Sequence, residues 1–84
     1  MNIVVLPNAK KDLKKLPKNI VDIIIKKIYS IKDNPLRYIE RLKQSPLWKL
    51  RIGDYRAILQ INTKENIINV LKIGHRKEIY KKQF

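Results

Sequence analysis

The sequence predicts an α+β fold in which two N-terminal helices pack on a small sheet of four strands. Three observations carry this. Isoleucines recur at helical spacing at Ile20, Ile24, Ile28 and Ile31. A strand–turn–strand pattern brackets Gly53-Asp54. Two further β-branched runs, residues 3–6 and 67–73, supply the remaining strands.

Residues 3–6 form a short apolar strand, ended by Pro7-Asn8. Residues 8–16 make a short helix with Leu13 and Leu16 on one side and lysines on the other. Pro17 interrupts it and suits the first turn of the next helix. That second helix runs from about residue 18 to 32, its isoleucine stripe widened by Val21 and Ile25. Lys18, Asp22, Lys26 and Ser30 lie mostly away from the stripe. The β-branched load is high, so packing must hold this helix more than propensity does. Asp33-Asn34-Pro35 stops it. Residues 36–46 read as a basic connector with room for a partial helical turn. Residues 47–52 and 55–61 are strands, and Gly leads the two-residue turn between them, as type II′ prefers. Residues 62–66 turn again, 67–73 form a strand, and Gly74 breaks it. Residues 75–84 are a charged tail with helical potential. Nothing divides the chain, so residues 1–84 read as one domain.

The net charge is +13, from 20 Lys and Arg against 7 Asp and Glu. Such imbalance destabilises a compact state by self-repulsion, and an anionic partner relieves it. At 44% hydrophobic residues the chain has the material for a core. The absence of cysteine excludes disulfides and thiol catalysis and suits the cytoplasm. One histidine argues against a zinc site, and the scattered acids against a magnesium cluster. No metal and no cofactor are expected. The N-terminus is not a signal peptide, and no stretch approaches membrane-spanning length.

With Gly53-Asp54 as the loop, Ile52 pairs with Tyr55, Arg51 with Arg56, Leu50 with Ala57, Lys49 with Ile58 and Trp48 with Leu59. Side chains alternate across a strand. One face then carries Trp48, Leu50, Ile52, Tyr55, Ala57, Leu59 and Ile61, and packs on the helices. The other carries Lys49, Arg51, Arg56, Ile58 and Gln60. Arg51 opposite Arg56 costs a few tenths to roughly 1 kcal/mol. Either the arginines splay apart in solvent, or the pair is a phosphate site, where the planar guanidinium fork fits. Lys72 joins this face only in one of two registers. His75 is either a polar turn residue or a proton carrier. Tyr80 either packs on the sheet or shares a helical face with His75 or Arg76. Trp48 belongs to the core by parity. Lys10, Lys11, Lys14 and Lys15 form a solvated helix face with weak attraction for RNA.

The order and spacing of these pieces resemble the RelE/ParE toxin superfamily, RelE type. The resemblance rests on the N-terminal strand, the helices broken at Leu16-Pro17-Lys18, the Leu-Arg-Ile-Gly-Asp-Tyr-Arg hairpin and the Gly-His-Arg-Lys-Glu-Ile-Tyr end. It implies an N-terminal helical hairpin on a mainly antiparallel four-stranded sheet, with a short basic C-terminal segment. It also implies a type II toxin that cleaves mRNA in the ribosomal A site, inhibits translation and is neutralised by a RelB-like antitoxin in a higher-order heteromer. The resemblance places catalysis on Lys49, Arg56, Arg76 and Tyr80 and matches Arg51 to a basic position on the same strand; Arg51, His75, Lys72 and Lys77 are expected to contact RNA. Some RelE proteins carry a second lysine where this chain has Leu47. Others use a glutamate–histidine pair; this chain has His75 but no strand glutamate legible in the sequence.

RNA carries its own nucleophile, the 2′-hydroxyl. The protein must align it, neutralise the phosphorane and move two protons. Lys49, crowded by Arg51 and Arg56, is a candidate base. Arg56 and Arg76 stabilise the charge, and Tyr80 or His75 stacks or protonates the leaving oxygen. The competing functions are a ParE-like inhibitor of DNA gyrase and a non-catalytic RNA- or ribosome-binding module.

Overall fold

The structure is a computed structural model that describes residues 1–79. The chain runs β1 (Asn2–Val5), α1 (Pro7–Lys14), α2 (Lys18–Ser30), β2 (Ile39–Arg41), β3 (Trp48–Ile52), β4 (Tyr55–Asn62) and β5 (Ile67–His75), with one 3-10 turn, Pro35–Arg37, before β2. The five strands make a single sheet in the order β1-β5-β4-β3-β2. β1 is parallel to β5, and the other neighbours are antiparallel.

This corrects the expected helical hairpin on a mainly antiparallel four-stranded sheet. The sheet is mixed because β1 and β5 are separated in the chain by both helices and the three other strands, so no tight turn forces them antiparallel. The fifth strand, β2, lies within the segment expected to be a connector. Nor do the helices form a self-contained hairpin: α1 packs chiefly on β5 and α2 on β3. β5 also continues through Gly74, the expected break, to His75.

Neither helix has a side-chain N-cap. Proline marks each start instead, and the Pro17 carbonyl accepts from the N–H groups of Ile20 and Val21. Ile24, Ile28 and Ile31 are buried on the sheet as the stripe predicts. Burying one such side chain contributes about 1.5–3 kcal/mol, against at most ~0.7 kcal/mol of helix propensity forgone. Packing therefore decides that α2 is a helix. The core joins these residues to Leu50, Ile52, Ala57, Leu59, Ile68, Val70 and Ile73. Among the described residues no helix is long and apolar enough to cross a membrane.

Leu59 pairs with Val70 but Ile58 with Lys72, so Leu71 is an extra residue in β5, a β-bulge. β1 covers β5 only over residues 67–70. Beyond β1, α1 takes over: the Asp12 carboxylate accepts the Ile73 N–H at 3.0 Å and lies 3.6 Å from Lys72 Nζ.

Candidate functional site

The β3–β4 hairpin has the register its sequence predicts, from Ile52 opposite Tyr55 to Trp48 opposite Leu59. Gly53 has φ +57°, and Asp54 is not among the residues at positive φ, the pattern of a type II′ turn. The apolar side chains face the helices. The opposite face is uncovered by either helix and carries a concave cleft of about 130 Å³ lined by Tyr38, Glu40, Lys49, Arg51 and Arg56.

Each of these side chains is placed by the sheet. Arg51 and Arg56 are directly opposite one another, and β2 sets Glu40 opposite Lys49. Lys49 Nζ lies 3.5 Å from a Glu40 carboxylate oxygen. Arg56 is only 7% exposed. One terminal nitrogen donates to the carbonyls of Gly53 and Tyr55, both at 2.7 Å. Bonds to a charged group contribute about 1.5–3 kcal/mol each, which outweighs the roughly 1 kcal/mol of repulsion from Arg51. Of the guanidinium's five N–H groups, no described residue accepts the remaining three. Among the described residues no buried side-chain polar atom is left without a partner, so those N–H groups reach the cleft surface. The turn thus aims Arg56 at the cleft while leaving donors for an anion.

The other expected residues fall elsewhere. Lys72, opposite Ile58, does share this face, but it is drawn to Asp12 at the sheet edge. Arg76 stands at the hairpin tip. Its N–H donates to the Asp54 carbonyl at 2.8 Å and its Nε lies 3.8 Å from the Asp54 carboxylate. It does not line the cleft. His75 pairs with Tyr55 and so belongs to the helix-covered face. The two rings meet edge to face at 5.6 Å, and His75 Nδ1 accepts the Lys77 N–H at 3.1 Å. Lys77 is exposed in the turn after β5. Tyr80 lies outside the described residues. Trp48 is half-buried against the core, with the Arg41 guanidinium 4.9 Å from its ring centre. Lys10, Lys11, Lys14 and Lys15 are exposed.

Glu40 and Tyr38 are the cleft residues not legible in the sequence. β2 has three residues, too few to show a two-residue period. The available signal is Glu40 itself, an acid between Arg37 and Arg41 in a strongly basic chain. Ile58 is fully buried on this same face. Ile79 lies over Gly74, where an added Cβ would stand 3.5 Å from its own Cβ.

A mixed five-stranded sheet thus carries helices on one face and a basic cleft on the other. The chain belongs to the family of ParE toxins of type II toxin–antitoxin systems, whose profile matches residues 3–80. Toxin RelG of Mycobacterium tuberculosis is 27% identical over 77 residues, 88% of each chain. Among solved structures, the toxin–antitoxin complex RelBE2 of Mycobacterium tuberculosis aligns with TM-score 0.81 at 24% identity, covering 89% of this chain and 96% of the other. The RelB–RelE antitoxin–toxin complex of Methanococcus jannaschii aligns with TM-score 0.74 at 25% identity, covering 96% and 99%.

Proposed function

We propose that this toxin is a RelE-type endoribonuclease that cleaves mRNA in the ribosomal A site and so arrests translation. One observation carries the reading: Glu40, Lys49, Arg51 and Arg56 converge in one open cleft. Three cations suit a phosphate, and the carboxylate among them suits a proton acceptor. Glu40 takes the proton from the 2′-hydroxyl as its oxygen bonds to phosphorus. Lys49, Arg51 and Arg56 neutralise the phosphorane oxygens. The P–O5′ bond breaks, and by resemblance Tyr80 protonates the leaving oxygen. The products are a 2′,3′-cyclic phosphate and a 5′-hydroxyl. Arg76, at the hairpin tip, contacts the flanking backbone together with Lys77.

The solved relatives are toxins seen with antitoxins. For this chain we infer a RelB-like antitoxin whose acidic or amphipathic segment folds over the basic cleft. The complex is a higher-order heteromer, and the ribosomal target places the toxin in the cytoplasm.

Inducing the protein in cells and mapping mRNA 5′ ends tests this. Cuts within codons, lost in Glu40→Gln, are expected; with purified ribosomes, a synthetic mRNA carrying 2′-deoxyribose at the cut should stay intact. Double-strand DNA breaks instead of RNA cuts would assign the chain to gyrase inhibition, the competing reading. Neither outcome, with ribosome binding retained, would make it a non-catalytic binder.

A further inference from the structure

The cleft contains one residue that phosphate chemistry does not need. Tyr38 forms part of its wall beside Glu40 and is 48% exposed. Its backbone is anchored: its N–H donates to the Pro35 carbonyl at 3.0 Å, and both Pro35 and the next residue, Ile39, are buried. A rigid main chain therefore holds an aromatic ring at the surface, against the usual burial of large apolar groups. Lys27 Nζ stands 5.5 Å and Arg37 Cζ 6.0 Å from the ring centre. These distances are at the outer limit of a cation–π contact, and both cations sit on long side chains that can yield to a flat ligand.

We propose that Tyr38 is a stacking platform for a base adjacent to the reacting phosphate, with Lys27 and Arg37 holding the next phosphate along. The cleft then binds a dinucleotide unit of single-stranded RNA rather than an isolated anion. This rests on the reading of the cleft as an RNA site. Stacking on an aromatic ring suits any base, since every base has a π-face. The strand runs from the Arg51–Arg56 pair, past Glu40 and Lys49, onto the Tyr38 ring. Tyr38 acts as a positioning residue: it fixes the ribose by its base and leaves the proton transfers to others.

The test is a cycle between ring and base. The probe is a short single-stranded oligoribonucleotide with 2′-deoxyribose at the cut position, bound to the purified toxin and followed by fluorescence anisotropy. Tyr38→Ala weakens binding about 10-fold, as one lost stack does, with an unchanged salt slope because no charge is removed. Tyr38→Phe binds as the wild type does. An abasic residue is then walked along the probe. At one position it also costs about 10-fold, and there the two changes together cost about 10-fold rather than about 100-fold. Independent losses at every position, or a Tyr38→Phe variant as weak as Tyr38→Ala, would overturn the stack alone. Failure of the wild type to bind the probe would remove the RNA reading of the cleft with it. Unchanged probe affinity in Tyr38→Ala, with weakened binding of an acidic antitoxin peptide, would assign the ring to protein docking and overturn the proposal. Thermal melting of each variant separates loss of fold from loss of the ring.

Discussion

The covered and open faces of the sheet use the same three central strands but are ordered by different forces. On the covered face Leu50, Ile52, Ala57, Leu59 and Ile73 are buried against the helices, and burial of apolar area holds them. On the open face, where Ile58 is the one buried apolar residue of β4, the contacts that order the charged side chains are polar and directional. Arg56 is bonded to turn carbonyls, Lys49 is paired with Glu40, and Lys72 with Asp12. Like charges therefore sit side by side without collapse or disorder. The comparison teaches that a basic site is preorganised here by backbone acceptors and lone carboxylates, while the apolar layer beneath supplies the stability.

Ile28→Ala, on the covered side, should cost about 3–4 kcal/mol of unfolding free energy in urea denaturation, the range for an emptied core site. A loss below about 1 kcal/mol would mean that burial does not dominate this face. Arg51→Ala, on the open side, should lower mRNA cleavage about 100-fold, the effect of removing one donor from a developing anion. Its melting temperature should stay at the wild-type value, because Arg51 is exposed; a large drop would blur the division between the faces. Asp12→Ala should destabilise by about 1–2 kcal/mol, since it removes the acceptor of the Ile73 N–H. Hydrogen exchange should show the opening concentrated at residues 72–74. The smallest effect belongs to His75→Gln, which should change cleavage by no more than about twofold, the size of a substitution away from the site, because His75 pairs with Tyr55 on the face opposite the cleft. A large loss of activity there would show that the edge of the covered face takes part in the chemistry.

Much of the fold is legible in local patterns. The α2 stripe, the β3–β4 register and the Gly53-Asp54 turn each depend on residues within a few positions of one another. β2 is not legible, because three residues carry no period and its strand state comes from pairing with β3. The mixed sheet is not legible either, because a pairing between residues 2–5 and 67–70 leaves no local mark. In the cleft, Lys49, Arg51 and Arg56 follow from hairpin parity alone. Glu40 and Tyr38 do not, since they reach the cleft only through β2. His75 and Tyr55 share the covered face because the bulge at Leu71 shifts the phase of β5.

By itself the sequence determined where helices and hairpin form and which hairpin face is basic, because a side chain's direction follows from its position along a regular element. Only the tertiary structure decided which distant strands meet, which carboxylate joins the cations and which basic residues stand apart. Those outcomes depend on long-range pairing and on one inserted residue in β5, and neither is encoded by neighbours in the chain.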